Sequence, residues 1–311
     1  MLLLIGGNGF LGSHTASVAV ARGHTVGVVG TRLEPSARVP QAAHYAQRDS
    51  DAYRDMLSEA NTIVYLAHAS RPSRHTDGLA YELETNIPAV NDFVRDLSVE
   101  GFTGQLFYTS SGGQVYGHRA PIPATETEPT RPTTAYGMGK LICEEIIRYA
   151  ARVQGLNAAI LRVANPVGSG QIGTGHGLVG AIFRALRDDV PLQLYGAGDN
   201  QRDYFSADDF GHFISDLHDK SWRGDGTYNI GNGVGHTELD VFNAVRDVVG
   251  HVPEIIFKDA RPFDLPYAVV DCGKARGHLG WNPKHSLEDI IADLAQEHLE
   301  TLIRPVEGVT A

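Results

Sequence analysis

A glycine-rich turn after the first apolar run constrains the fold of this chain more than any other feature. The segment GGNGFLG opens a helical stretch, and its glycines stand three residues apart at Gly6, Gly9 and Gly12. Glycines at this spacing allow a tight turn, a close approach of backbone N–H groups to a pyrophosphate, and close packing of helix on strand. The turn therefore predicts a dinucleotide-binding site made by these glycines and the first helical residues, Phe10 and Leu11.

The apolar pattern of the first half of the chain alternates between short strands and longer helices. Strand-like runs occupy 2–5, 25–29, 62–66, 105–109 and 157–163, and helical periodicity occupies 11–21, 79–97 and 136–154. Short apolar strands separated by helices are typical of parallel βαβ units whose sheet is covered on both faces. The sequence thus predicts an α/β fold, a Rossmann-type doubly wound parallel sheet, in residues 1–164.

The pattern changes after this first domain. Gly, Pro and Asn become more frequent and the elements become shorter, as in GSGQIGTGHG and YGAGDNQRDY. We expect a smaller, mixed α/β C-terminal lobe that binds substrate, formed by 165–199 and 232–311. The strand-like run 227–231 is expected to return to the main sheet, so that about 200–231 belongs to the dinucleotide-binding domain.

Composition narrows the classes of partner. The 311 residues carry a formal net charge of −11, which does not favour binding of nucleic acid. No apolar run approaches the ~20 residues of a membrane span. The two cysteines, Cys143 and Cys272, lie far apart and form no metal-binding motif such as CxxC. We therefore expect a cytoplasmic protein with reduced cysteines, no bound metal, and a small molecule as its partner.

The end of the second strand bears on the choice of dinucleotide. An acidic residue there would bind the adenosine ribose hydroxyls, but Gly30 stands at that position and Arg32 follows two residues later. The missing carboxylate and the guanidinium favour NADP slightly over NAD, and the alternative is that Arg32 is a surface arginine. Asp49 is placed to accept a hydrogen bond from the adenine amino group, or else is an exposed loop aspartate.

A tyrosine and a lysine share one face of a predicted helix, because Tyr136 and Lys140 stand four residues apart. A free tyrosine has a pKa near ~10, and a neighbouring ammonium with the positive charge of an oxidised nicotinamide would favour the phenolate. Tyr136 is therefore the candidate proton acceptor when hydride leaves a carbinol, and the donor when hydride arrives at a ketone. Ser110 and Ser111, at the end of the preceding strand, would hydrogen-bond the reacting oxygen, or else cap a turn.

Together these features resemble the extended short-chain dehydrogenase/reductases, specifically the NAD-dependent epimerase/dehydratase group that includes UDP-galactose 4-epimerase. The resemblance runs from residue 2 to about residue 291. Besides the motifs above it includes YLAHAS, Asn86 in ETNIPAV, YTSSGGQVYG, LRVANPVGSGQ, GDNQRDYFSADDF, YNIGNG and the stretch that begins RPFDLPY. It implies that Ala67, in YLAHAS, contacts the cofactor.

The resemblance also implies a substrate site for a nucleoside-diphosphate sugar. Leu178 and Val179 would line the nucleobase pocket. The residues that would bind the diphosphate are Asn165, Arg202, Arg261 and Asp264. Two guanidiniums suit an acidic protein that must hold a diphosphate locally. In this family the helices that correspond to 79–97 and 136–154 form a four-helix contact between subunits, so we expect a homodimer.

One departure from the family concerns the catalytic hydroxyl. The family places a Ser or Thr four residues before the Tyr of the VYG segment, and counting back from Tyr116 reaches Gly112. Ser111 and Ser110 come one and two residues earlier. Either a small shift of the loop brings Ser111 into place, or a backbone N–H group or a water takes the role.

The activity implied by the resemblance is 4-epimerisation of a nucleoside-diphosphate hexose through a transient 4-keto sugar, with the cofactor regenerated. Gly113 and Gln114 stand where sugar 4,6-dehydratases carry an Asp-Glu pair, which tells against a dehydratase. The main alternative is an NADPH-dependent 4-ketoreductase of a nucleoside-diphosphate 4-keto-deoxysugar. A third is a non-catalytic dinucleotide-binding sensor, against which the presence of both Tyr136 and Lys140 argues.

Overall fold

The chain alternates strands and helices from its first residues onward. The computed structural model describes residues 1–31, 43–71, 78–174 and 177–302. The strands of these ranges, β1 to β13 in chain order, are Leu2–Ile5, Val26–Val29, His44–Ala46, Thr62–Tyr65, Gln105–Ser111, Ala158–Val163, Asn165–Val167, Leu192–Tyr195, Gln201–Ser206, Gly226–Ile230, Gly235–Thr237, Ile255–Lys258 and Tyr267–Ala268. The helices, α1 to α11, are Phe10–Ala21, Asp51–Glu59, Gly78–Tyr81, Ile87–Val99, Ala135–Gln154, Gln171–Thr174, Leu178–Asp188, Ala207–Asp219, Glu238–Val249, Gly273–Leu279 and Leu287–Leu302. A π-helical turn, Glu82–Asn86, joins α3 to α4.

Seven parallel strands form the central sheet, in the order β10-β6-β5-β4-β1-β2-β3. β1 pairs with β2 on one side and with β4 on the other, so the order of the strands reverses at this point. In sheets of this kind ligands bind beyond the carboxyl ends of the strands, beside the reversal. The Rossmann-type doubly wound sheet predicted from the sequence is confirmed, and it includes β10, which pairs with β6.

Both faces of the sheet are covered, which explains why its central strands β1, β2 and β4 are largely apolar and fully buried. Because successive side chains of a strand point to opposite faces, Leu2 and Leu4 pack in one core with α1 and α8, and Leu3 and Ile5 pack in a second with α2, α4 and α5. These four side chains are at most 7% exposed. The position of β1 at the centre of both cores fixes the turn that follows it.

A smaller lobe is built around β9. β7 and β13 pair with β9 in parallel and β11 pairs with it antiparallel, while β8 and β12 form a separate parallel pair. Its core is formed by apolar side chains of α7, α9 and α11. Between β9 and β11 the chain leaves this lobe, packs α8 along α1 and adds β10 to the central sheet.

The helix expected over 79–97 is interrupted in the structure, where α3, the π-helical turn and α4 follow one another. β3 and α2 are short elements that the apolar pattern did not predict. None of the helices in the described part of the chain combines the length and the apolar character that crossing a bilayer requires.

Candidate active site at the carboxyl edge of the central sheet

The glycine-rich turn joins β1 to α1 and lies against the loop after β4. Gly6 has a φ of 84°, and a Cβ there would approach the backbone N of Ala67 to 2.7 Å. A Cβ on Gly12 would lie 2.6 Å from the Cα of Gly7, and one on Gly9 would lie 3.1 Å from the carbonyl oxygen of Gly6. The turn thus keeps a surface without side chains at the start of α1, where the first N–H groups have no acceptor within the helix. This cradle fits the pyrophosphate of a dinucleotide.

The predicted adenosine end of the site follows β2 and β3. Gly30 packs beside Asn8, since a Cβ on Gly30 would lie 3.2 Å from the Nδ2 atom of Asn8. Asp49 has a φ of 69°, and its side chain is 80% exposed in the turn before α2. Arg32 lies outside the described residues. The place of the family's acidic residue is therefore bordered by an uncharged amide.

The start of α5 places Tyr136 beside the end of β5. The Oγ1 atom of Thr134 accepts a hydrogen bond of 3.0 Å from the backbone N of Gly137 and caps the helix. The Ser111 hydroxyl lies near enough to the phenol of Tyr136 to lower the pKa of that phenol. Ser110, the other candidate, lies next to the carboxylate of Glu144 and does not join this pair. Of the two predicted hydroxyls, the structure brings Ser111 to the tyrosine.

Gly112, at the family's usual position for the catalytic hydroxyl, is held in a tight space. A Cβ there would lie 2.9 Å from the carbonyl oxygen of Arg162 and 2.9 Å from Cγ1 of Val270. The first neighbour is the backbone of β6 and the second belongs to the C-terminal lobe. A serine or threonine at this position would therefore displace one of them, and the hydroxyl that the structure places beside Tyr136 is that of Ser111.

Lys140 is buried one turn after Tyr136 and is 3% exposed. Its Nζ donates a hydrogen bond of 2.9 Å to the carbonyl oxygen of Thr109 and lies 5.3 Å from the ring centroid of Tyr108. Burial lowers the pKa of the Lys140 amine to about 8. Burial raises the pKa of the Tyr136 phenol to about 12, although the nearby Ser111 hydroxyl acts in the opposite direction. The predicted lowering of the phenol pKa requires an oxidised nicotinamide besides the ammonium; in the side chains alone, burial keeps this pKa high.

A buried carboxylate and an imidazole lie against Tyr136, and the sequence motifs did not single them out. Glu82, in the π-helical turn, is 1% exposed, and its Oε2 lies 3.3 Å from Nε2 of His68. The His68 ring meets the Tyr136 ring edge-on, with centroids 5.0 Å apart and planes at 90°. The signal in the sequence was a histidine directly after the strand end YLA and a glutamate four residues before Asn86, and only the fold brings the two together.

The arginines predicted to bind the diphosphate lie together in the C-terminal lobe. The Nη1 atom of Arg202 donates to the carbonyl oxygens of Gln201 and Leu265, at 2.9 and 2.6 Å. Arg261 makes a two-pronged ion pair with Asp264, at 2.7 and 2.9 Å, and its guanidinium lies 4.1 Å from the ring centroid of Tyr195. The charges of Arg261 and Asp264 both reach Arg202, whose own pKa is lowered by burial.

The other predicted substrate residues differ in their hydrogen bonds and in how deeply their side chains are buried. Asn165 uses its Nδ2 to donate to the carbonyl oxygen of Asp203 at 2.9 Å, which fixes β7 beside β9. Leu178 begins α7 and is partly buried, whereas Val179 is 1% exposed in the core of the lobe. The side chain of Val179 therefore packs against the lobe, and its backbone, in the first turn of α7, is the part that can face a ligand.

Similarity to known proteins agrees with this geometry. The sequence model of the NAD dependent epimerase/dehydratase family matches residues 2–231. Two UDP-glucose 4-epimerase structures superpose with TM-scores of 0.85 at 26% identity: one from Thermotoga maritima with UDP-glucose, which covers 97% of this chain and 99% of that chain, and one from Thermus thermophilus in complex with NAD, which covers 96% and 98%.

Curated relatives include two kinds of enzyme. A dTDP-4-dehydro-6-deoxyglucose reductase from Escherichia coli is 25% identical over 94% of this chain and 96% of its own length, and several others are named UDP-glucose 4-epimerases. The family match covers the glycine turn, the Ser111–Tyr136–Lys140 group and the return of β10 to the sheet. The chain belongs to the NAD dependent epimerase/dehydratase family.

Proposed function

We propose that this chain is an NAD-dependent enzyme that epimerises C4 of a nucleoside-diphosphate hexose. The observation that carries the proposal is the meeting of Ser111, Tyr136 and Lys140 at the carboxyl edge of the sheet, beside a glycine cradle. Structures named UDP-glucose 4-epimerase, with UDP-glucose or NAD bound, support it. UDP-hexoses are therefore the first substrates to test.

The proposed mechanism divides the work between the two lobes. The cofactor would lie on Gly6, Gly9 and Gly12, with Ala67 beside it. A bound nicotinamide supplies the hydride acceptor and, when oxidised, a positive charge. That charge would offset the burial that keeps the phenol of Tyr136 protonated, so that Tyr136 can take the proton of the C4 hydroxyl.

Ser111 would hydrogen-bond the same C4 oxygen, and Lys140 would hold the cofactor ribose and supply the ammonium near the phenol. Arg202 and Arg261 would hold the diphosphate while the 4-keto sugar turns its other face to the cofactor. The same tyrosine then returns the proton, and no net oxidation results.

NAD is the cofactor that we propose, although Gly30 and Arg32 favour NADP slightly at the level of sequence. The support for NAD is its presence in the complex with the Thermus thermophilus protein. Asn8 borders the position of the missing carboxylate and has amide groups that suit ribose hydroxyls without adding charge. Asp49 stands exposed where the adenine would be bound.

A 4-ketoreductase is the second candidate, because a reductase of this class from Escherichia coli is among the relatives. It would use the same residues once, and release a reduced sugar with one equivalent of oxidised cofactor. Assays without added cofactor separate the two. The epimerase turns over with the cofactor that it carries, whereas the reductase turns over only when reduced cofactor is supplied. A non-catalytic sensor would do neither.

A homodimer is proposed from exposed apolar side chains on two neighbouring helical runs. Leu79, Leu83 and Val99 lie on the run from α3 to α4, and Tyr149 and Val153 lie on α5, with exposures from 42% to 74%. α4 and α5 pack against each other, so both can enter one four-helix contact.

The two free, buried thiols of Cys143 and Cys272 support a reducing, cytoplasmic setting.

The test of the proposed function replaces Tyr136 with Phe. Tyr136→Phe should lower kcat by about 10²–10⁴-fold with UDP-glucose or UDP-galactose, because the proton acceptor is removed. Tyr149→Phe, on the same helix but away from Lys140 and Ser111, is the matched control; it keeps the ring that the proposed dimer contact uses and should turn over like the parent. The measurement is product formation by chromatography, with the bound cofactor identified by mass spectrometry of denatured protein. Equal turnover of Tyr136→Phe and parent would refute the mechanism.

A further inference from the structure

The carboxylate of Glu82 is built into the wall behind Tyr136 and Lys140. It accepts hydrogen bonds from the Ser70 hydroxyl and from Nδ2 of Asn86, the latter at 2.9 Å. A Cβ on Gly139 would overlap its Oε2 atom. Gly139 lies between the tyrosine and the lysine on α5, so the absence of a side chain there is what lets the carboxylate reach the helix.

At neutral pH, the described residues that contact Glu82 bring no positive charge to it. Burial, together with the charge of Lys140, lowers the pKa of His68 to about 4, so this imidazole is neutral at ordinary pH. Ser70 and Asn86 are neutral donors. Although burial raises the pKa of Glu82, its interaction with His68 and the hydrogen bonds from Ser70 and Asn86 together hold it below its usual value. The carboxylate is therefore ionised, and its negative charge is not cancelled by these neighbours.

The other groups that face Lys140 carry no comparable free charge. Glu144 is bound by the guanidinium of Arg162 at 2.8 and 2.9 Å and also by Arg148 at 2.7 Å. Burial raises the pKa of the Cys143 thiol and of the Tyr108 phenol, so both are neutral. Among the described residues packed around Lys140, Glu82 is thus the carboxylate that no guanidinium neutralises.

The position of His68 beside Glu82 supports the same role as the charge of Glu82. The His68 ring brings Nε2 to 3.3 Å from Oε2 of Glu82 and meets the ring of Tyr136 edge-on, and neither of its nitrogens has an aligned hydrogen-bond partner among the described residues. The carboxylate on one side and the phenol ring on the other confine this imidazole between them. A π-helical turn, the element that carries Glu82, is frequent at functional sites.

We propose that Glu82 is a positioning residue of this site: its carboxylate keeps the amine of Lys140 protonated and holds the imidazole of His68 against the ring of Tyr136. The inference rests on the proposed function, since it assigns Tyr136 and Lys140 to one active site. The negative charge stabilises the protonated form of both groups, so it raises the pKa of each.

The test is the pH profile of kcat in Glu82→Gln. The amide keeps the size of the side chain and removes its charge, so the pKa values of Tyr136 and Lys140 should both fall. Both limbs of the profile should then move to lower pH, by about one pH unit. A merely structural loss would lower the height of the profile without moving it. Glu84→Gln, on the exposed side of the same turn, removes the same charge and should leave the profile in place.

A second measurement needs neither cofactor nor turnover. The absorbance of tyrosinate is titrated in Glu82→Gln and in the double variant with Tyr136→Phe, and their difference gives the titration of Tyr136. The same difference is taken between the parent and Tyr136→Phe. The phenol should ionise at lower pH in the Glu82→Gln background.

If Glu82→Gln does not fold, the double variant Glu82→Gln with His68→Gln replaces the carboxylate and the imidazole by two amides. The same shifts of the pH profile and of the tyrosinate titration are then expected.

The outcomes separate the inference from the proposed function. If Tyr136→Phe is inactive and the Glu82→Gln profile superimposes on that of the parent, Glu82 has no positioning role while the epimerase mechanism stands. If Tyr136→Phe turns over like the parent, the proposed function fails, and the absorbance titration still decides whether Glu82 governs the phenol. Superimposable titrations would overturn the inference in either case.

Discussion

A single methylene decides which residue can provide a hydroxyl at the end of β5. Gly112 has the backbone of β6 on one side and Val270 on the other, each 2.9 Å from where a Cβ would lie. At Gly113 the nearest such neighbour, Oγ of Ser111, is 4.0 Å away. The two glycines are adjacent in the chain, and the space around them differs completely.

Gly112→Ser should therefore destabilise the protein by about 1–3 kcal/mol, because the new side chain must push a strand or the C-terminal lobe aside. The free energy of unfolding from urea titration measures this. Gly113→Ser is the matched control and should change it by less than about 0.5 kcal/mol. Equal stability of the two variants would show that the neighbours of Gly112 make room for a side chain at no cost in the free energy of unfolding.

At the scale of elements, the sequence predicted the helices and strands that are determined by local sequence pattern. Strands β1, β2, β4 and β6 of the central sheet are largely apolar runs, and predicting the glycine turn, β1 and α5 required no knowledge of distant residues. The short elements β3 and α2 were not predicted because their apolar patterns are weak. The choice between Ser110 and Ser111 could not be made from the sequence, because it depends on how tightly β6 packs. The contact of Glu82 with α5 arises from a π-helical turn and Gly139, which are distant in sequence, so no local pattern could reveal it.

Asp203 ties three elements of the smaller lobe together. On β9, its carboxylate accepts hydrogen bonds from the backbone N–H groups of Asn232 at 2.7 Å, Gly233 at 3.0 Å and Val270 at 3.5 Å. Burial nevertheless raises the pKa of this carboxyl to about 7, because the backbone donors only partly offset the loss of water. The junction is thus built around a carboxyl group that takes up a proton more readily than it would in the unfolded chain.

The stability of the protein should therefore depend on pH through Asp203. Its folded pKa lies above the unfolded value of about 3.9, so the native state binds more protons, and stability falls as pH rises from about 4 to about 7. Relative to Asp203→Asn, which cannot titrate, the parent should lose up to about 4 kcal/mol of unfolding free energy over that range. Urea titrations at several pH values measure the difference. Parallel curves for parent and variant would mean that Asp203 is ionised throughout.

At the scale of the whole molecule, the proposed homodimer follows from the apolar side chains that α4 and α5 leave exposed. Val153 is 59% exposed on α5, and Val248 is 41% exposed on α9, away from these helices. We expect the parent to have the mass of a dimer by light scattering at micromolar concentration. Val153→Asp should shift the mass towards that of a monomer, because a buried unpaired carboxylate opposes the contact.

Val248→Asp adds the same charge elsewhere and should leave the dimer intact. A monomeric parent, or a dimer that Val248→Asp disrupts and Val153→Asp does not, would place any contact on another surface.

The return of β10 to the central sheet has a consequence for the order of synthesis. The outermost position beside β6 is filled by Gly226–Ile230, which the ribosome makes long after Ala158–Val163. Until then the growing polypeptide carries an open edge of unpaired backbone groups, to which a neighbouring nascent strand can bind. Completion of this sheet, and protection of its edge from wrong pairing, thus waits until β9 and α8 have been synthesised.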